Sequence, residues 1–164
     1  DRDRLSLMPR TGSCVLQSRP AGVPELAQLA VRGEVPVSLA RRAWAVVAAA
    51  DGLGVELDDY RPTPVAAPAA AFALAERYSR CYAAAAAVQL WLRNREALDD
   101  GRNAWTGGLW LEAVLARVLE RLGGPGRPDP DDDVLERLMP FLEEQQATGT
   151  LPSLLDYRLV KDSE

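Results

Sequence analysis

Two glutamates, Glu76 and Glu112, stand on stretches that are otherwise largely apolar. A carboxylate in such a setting can act as a general base. Each also has an arginine close by in sequence: Arg80 follows Glu76 by one turn, and Arg117 lies near Glu112. An ion pair is therefore the plainer reading of both. The chain has no histidine, which excludes Ser-His-Asp and Cys-His catalysis, histidine metal ligation and imidazole acid–base chemistry. Cys14 and Cys81 are its only thiols, 67 positions apart. That spacing makes neither a metal site nor a disulfide framework and fits two reduced cysteines of a cytoplasmic protein.

Other chemistry-bearing groups have structural alternatives of the same kind. The acidic run Asp129, Asp131, Asp132 and Asp133 could ligate a hard cation, but it lacks the mid-loop glycine of a calcium loop and continues into a helix, whose N-terminus it would cap. Gly123-Gly124-Pro125-Gly126 follows a helix rather than a strand, so it reads as a cap and linker and not as a phosphate loop. Trp91, Trp105 and Trp110 cluster in sequence around the turn between two predicted helices, with Tyr78 and Tyr82 on the first of them. They are candidates for packing or for an interface, and the tryptophans could alternatively stack a planar ligand. No catalytic or metal-ligating residue is assigned.

The elements that must position these residues are all helical. An irregular segment, 1–23, precedes a short helix that starts after Pro24, carries Leu26, Leu29 and Ala30 on one face, and stops at Gly33. A second helix spans Val37 to Ala50, with Leu39, Ala43, Val46, Val47 and Ala50 in a stripe; Gly52 and Gly54 end it, and the proline-containing stretch from Val55 to Ala67 reads as a loop. The longest element, roughly Pro68 to Asp99, is alanine-rich. Phe72, Ala75, Ser79, Tyr82, Ala83, Ala86 and Leu90 follow the three-and-four spacing of a buried face. Leu74, Tyr78, Cys81, Val88 and Leu92 form a second stripe, and apolar surface over so much of the girth places this helix centrally, between neighbours.

A fourth helix from about Trp105 to Leu122 turns Trp110, Leu111, Val114, Leu115, Val118 and Leu122 inward. After the Gly/Pro linker 123–130, a last helix begins near Asp131 with Leu135, Leu138, Phe141 and Leu142 on its apolar face and Pro140 kinking it. An apolar tail, Leu151 to Leu159, follows, and Tyr157 to Val160 is the nearest approach to a strand. The expectation is thus one all-α domain over 1–164: a bundle of about five helices around a long central alanine-rich one.

Composition agrees. Of 164 residues, 48% are apolar and 26% charged, the ordinary globular balance. The formal charge of −5 and the absence of a basic cluster argue against a nucleic-acid partner. No apolar run approaches the length of a membrane span, and no signal peptide is visible. The opening at Asp1 rather than methionine reads as a fragment or a processed product.

The segment Ala75-Glu76-Arg77-Tyr78, followed by Tyr82, Ala83 to Ala87 and Leu90-Trp91-Leu92-Arg93-Asn94, resembles the C-terminal helical region of actinobacterial acyl-CoA dehydrogenase-like flavoproteins. Trp110-Leu111-Glu112-Ala113-Val114-Leu115-Ala116-Arg117 and the tail Leu151 to Leu159 fit the same picture, and the likeness extends over roughly Asp3 to Val160. The resemblance implies FAD-dependent dehydrogenation of an acyl thioester in the complete protein and a dimer or tetramer made through helical C-terminal domains. The family's Arg-x-x-Phe-Gly flavin contact is missing here, and its catalytic glutamate aligns with neither Glu76 nor Glu112. The expectation is a cytoplasmic, non-catalytic helical domain, without a cofactor of its own, that completes or oligomerises such an enzyme. Two alternatives stand beside it: a stand-alone interaction or adaptor module, and a small-molecule-binding bundle using the tryptophans.

Overall fold

The computed structural model describes residues 19–61, 69–96, 105–123 and 134–149. Those residues form an all-α bundle of five helices: α1 (Arg19–Val31), α2 (Val37–Asp59), α3 (Ala69–Asn94), α4 (Leu109–Leu122) and α5 (Val134–Ala147). Cys14, the acidic run from Asp129 to Asp133, the tail Leu151 to Leu159 and the strand candidate within it lie outside the described residues.

α1 begins earlier than its sequence suggests, at Arg19, and carries Pro24 inside it. A proline there removes only the hydrogen bond to the carbonyl four residues back, near the helix start, where few such bonds exist. The early start adds Val23 to the buried face of Leu26 and Leu29. The expected stop at Gly33 holds: Gly33 takes φ +74°, Glu34 N–H donates to the Leu29 carbonyl at 3.0 Å and Gly33 N–H to that of Ala30 at 3.1 Å. This is a Schellman closure, which needs a left-handed residue at that place.

α2 departs furthest from expectation. It does not end at Gly52 and Gly54 but continues through both to Asp59. Each interior glycine costs about 1 kcal/mol of helix propensity, and tertiary contacts offset that cost. Leu53 is buried between the two glycines, and one turn later Glu56 accepts two hydrogen bonds from Arg77 of α3, at 2.6 and 2.8 Å. Arg61 then closes the helix by donating to the carbonyls of Asp58 and Tyr60.

α3, at 26 residues, touches α1, α2 and α4; α2 likewise touches α1, α3 and α4. The phase of α3 corrects the sequence reading. Only one of its two apolar stripes faces the core, and only in its second half, through Cys81, Ala84, Ala85, Val88 and Trp91. The stripe holding Phe72, Tyr82 and Leu90 faces outward, with Phe72 67% exposed. Alanine gives little contrast between helix faces, so bulk elsewhere decides which stripe is buried: Val88 and Trp91 join the core with α1, α2 and α4, and Phe72 on the other stripe stays outside it.

The main core joins Val23, Leu26 and Leu29 of α1, Leu39, Ala43 and Val46 of α2, Ala84, Val88 and Trp91 of α3, and Leu111, Leu115 and Leu119 of α4. α5 stands apart from it. Its contact is with α4 alone among the described helices, through a separate small cluster in which Val134 and Leu138 meet Leu109, Ala113 and Ala116. Leu135, expected on the inner face, is 52% exposed; Val134 takes the buried position one residue earlier. Pro140 lies within the helix.

Candidate functional site

Three places could carry function: the tryptophan turn, the buried carboxylate of Glu112, and the outward face of α3.

The tryptophan turn joins α3 to α4. Trp91 is almost fully buried, and its indole N–H donates to the Trp105 carbonyl. Trp105 and Trp110 are half-buried and stack on each other, ring centroids 4.6 Å apart. The turn closes at Gly108, whose φ of +77° is left-handed and whose Cβ position would fall 2.7 Å from a Leu39 methyl and 3.5 Å from the Trp91 ring. Only glycine meets both conditions.

On the other side of Trp91, Arg95 lies over the indole, 5.9 Å from its centroid, and donates to Glu34 at 2.8 Å. That bond, with Arg32 also beside it, holds the Glu34 carboxyl below the usual glutamate range. Asn94 folds back to donate to the Leu90 carbonyl at 2.7 Å. The Trp91 and Arg95 side chains therefore fasten the end of α3 to the turns around it, while Asn94 ties down the helix's own last turn. An open groove runs beside them, lined by Gly33, Glu34, Val35, Pro36, Arg95, Glu96, Thr106 and Gly107.

The two glutamates part company. Glu76 pairs with Arg80 one turn on, as its spacing suggests. Arg80 also donates to the Arg121 carbonyl at the end of α4, at 2.7 Å, where a cation complements the helix terminus. Glu112 is fully buried, and its partner is not Arg117, which turns to Glu120. Instead Glu112 Oε1 lies 3.5 Å from Arg42 of α2, itself buried, and Oε2 lies 3.2 Å from Arg137 of α5. One carboxylate thus links three helices. Sequence reasoning missed this triad because its members are far apart in the chain. The available signal was a charge of opposite sign within each apolar stripe, Arg42 between Leu39 and Val46, and Glu112 between Leu111 and Leu115.

The third place is the outward stripe of α3. Phe72, Tyr82 and Leu90 are all exposed on it, while Tyr78, on the other stripe, is half-buried. Cys81 is a buried thiol. It borders an apolar cavity of about 20 Å³ between α1, α2 and α3, lined also by Val23, Val46 and Ala84.

The groove beside Arg95 is open and about 850 Å³ in volume. The apolar cavity falls far short of the ~300 Å³ or more that a bound organic cofactor occupies. In the open groove the Arg95 guanidinium, the group that would meet a pyrophosphate, is already paired with Glu34, and Glu96 adds another acid to the lining. No group of three or more acidic or thiol side chains among the described residues is placed to hold a metal ion, and no described helix is long and apolar enough to cross a membrane.

Fold and site together define a helical bundle with a buried ionic triad and an exposed apolar helix face. Comparison with protein families, with curated proteins and with solved structures returns no match.

Proposed function

We propose that this chain is a non-catalytic helical domain that meets other protein through the outward face of α3, and that the protein it completes, covers or oligomerises is an acyl-CoA dehydrogenase-like flavoprotein. The observation that carries the first part is the exposure of Phe72, Tyr82 and Leu90 along one side of the longest helix. Apolar surface gathered on one element is what a protein interface uses at its centre. The second part rests on the resemblance of Ala75 to Asn94. The titratable groups on the inside of the bundle support a scaffold: Glu112 and Arg42 pair across helices, and both are buried. Any flavin chemistry and the acyl thioester would then belong to other parts of the enzyme.

Size-exclusion chromatography with detection in the visible flavin band tests the proposal. The expected result is a colourless chain that self-associates or co-elutes with an acyl-CoA dehydrogenase-like flavoprotein, and that loses this association when Phe72 and Leu90 are both changed to serine. A purified chain that binds FAD by itself and oxidises an acyl thioester overturns the non-catalytic assignment. A reading frame without a flavin-binding region would leave a stand-alone interaction module in its place.

A further inference from the structure

We propose that α2 pairs with α2 of a second copy of this chain, the two helices running antiparallel along an outward seam that is complementary to itself. The inference does not depend on the flavoprotein reading, and the seam is a different surface from the outward face of α3.

α2 turns Leu39, Ala43, Val46 and Leu53 into the bundle. Half a turn round the helix stand Val37, Arg41, Trp44, Ala48, Asp51 and Val55, all of them exposed. Val37, Trp44 and Val55 are the large apolar ones, 72%, 48% and 63% exposed. The steps along this row alternate between four and three residues, which is the repeat of about 3.5 that keeps one stripe against a neighbouring helix crossing at about 20°. A helix that only covers a core needs apolar residues on its inner side alone; this one carries a second row outside.

The order of residues in the row selects the occupant. Laid antiparallel on its own copy, about a two-fold axis level with residue 46, the seam sets Val37 against Val55, Arg41 against Asp51 and Trp44 against Ala48. The symmetry makes each pairing occur twice. A large side chain meets a small one at the centre, opposite charges meet in the next layer, and apolar residues meet at the ends. A parallel pair in register would instead set Arg41 on Arg41 and Asp51 on Asp51, which like-charge repulsion disfavours. The face therefore fits a second copy in one direction and one register.

Room for the indole is present. Gly52, one turn beyond Ala48, is exposed and has nothing within 4 Å of its Cβ position, so the partner's Trp44 can lie close to the backbone there. Asp51 also has an interaction within its own chain; a carboxylate offers about four lone-pair sites and can accept from the partner's Arg41 as well. Exposed charge pairs of this kind set orientation more than affinity, and burial of the indole supplies the attraction.

Sedimentation velocity over a concentration series tests the pairing on the full chain carrying Phe72→Ser and Leu90→Ser. Those two changes remove association through α3, and a dimer through α2 should remain. Adding Trp44→Glu should leave monomer. Arg41→Asp alone and Asp51→Arg alone should each weaken the dimer at least about tenfold, because each sets like charges together twice. An equal mixture of these two single variants should recover it, since opposite charges then meet in every layer. The proposal fails if the chain with only the two serines is monomeric up to about 1 mM, where even a weak contact would show. It fails equally if the mixture associates no better than either single variant alone. The charge variants alter exposed side chains, so that answer stands whether or not Trp44→Glu folds.

Discussion

Gly108 carries two demands in one residue. Its backbone is left-handed, and the space where a side chain would begin is filled by Leu39 and Trp91. Gly108→Ala therefore meets a left-handed penalty of about 1–2 kcal/mol and an overpacking cost of about 1–3 kcal/mol. The urea midpoint should fall by an amount corresponding to roughly 2–5 kcal/mol, with the slope unchanged.

Glu112 gives a second residue-scale prediction. Glu112→Leu removes the buried carboxylate that Arg42 and Arg137 share and should cost roughly 3–5 kcal/mol. The double change Arg42→Met with Glu112→Leu should be the milder one, since it removes both charges from the interior. Equal losses in the single and double variants, measured by urea unfolding, would mean that the pair is not what makes the site sensitive.

At the scale of elements, the α2–α3 connection depends on pH in a direction the structure fixes. The Arg77 guanidinium, donating both its bonds to Glu56, holds that carboxyl below the usual glutamate range, and Glu56 raises Arg77 in turn. A carboxyl whose folded pKa is depressed contributes stability above its unfolded pKa, about 4.3, and loses it as pH falls through the folded value. Glu56→Gln should therefore lower Tm modestly at neutral pH, and the gap to wild type should close as the solution is taken well below pH ~4. Both side chains are partly exposed, so salt should shrink the gap as well. A gap that persisted in strong acid would argue against the ion pair as its source.

The same elements show how far sequence goes. The helical class, the stop at Gly33 and the α4 stripe of Leu111 and Leu115 were legible, because glycine after a periodic run and bulky residues at helical spacing have local causes. The continuation of α2 through Gly52 and Gly54 was not, since glycine signals a stop and only the distant partners of Leu53 and Glu56 overrule it. Neither was the phase of α3, where alanine blurs the faces. Trp91, Trp105 and Trp110 are close in sequence and also meet in the structure, but the Arg42–Glu112–Arg137 centre exists only across three helices.

For the whole molecule, four helices share one core and the fifth rests on a small separate cluster. Among the described residues the apolar packing is thus unequal from helix to helix. Helices α1 to α4 are tied together by Leu26, Leu39, Trp91 and Leu115, each with almost no exposed surface. The outward face of α3 is thus carried on a helix whose other side is part of the four-helix core.

The stacked pair Trp105–Trp110 also has an optical side. Two indoles this close share their excited states, so their strongest ultraviolet transitions split and add a paired positive and negative band to the circular dichroism spectrum. Helix content read from far-ultraviolet ellipticity would be skewed by that band, and Trp105→Phe should remove it while leaving the helices in place. The band therefore serves as a built-in gauge of the α3–α4 turn: it should vanish with Gly108→Ala if that turn gives way before the bundle does.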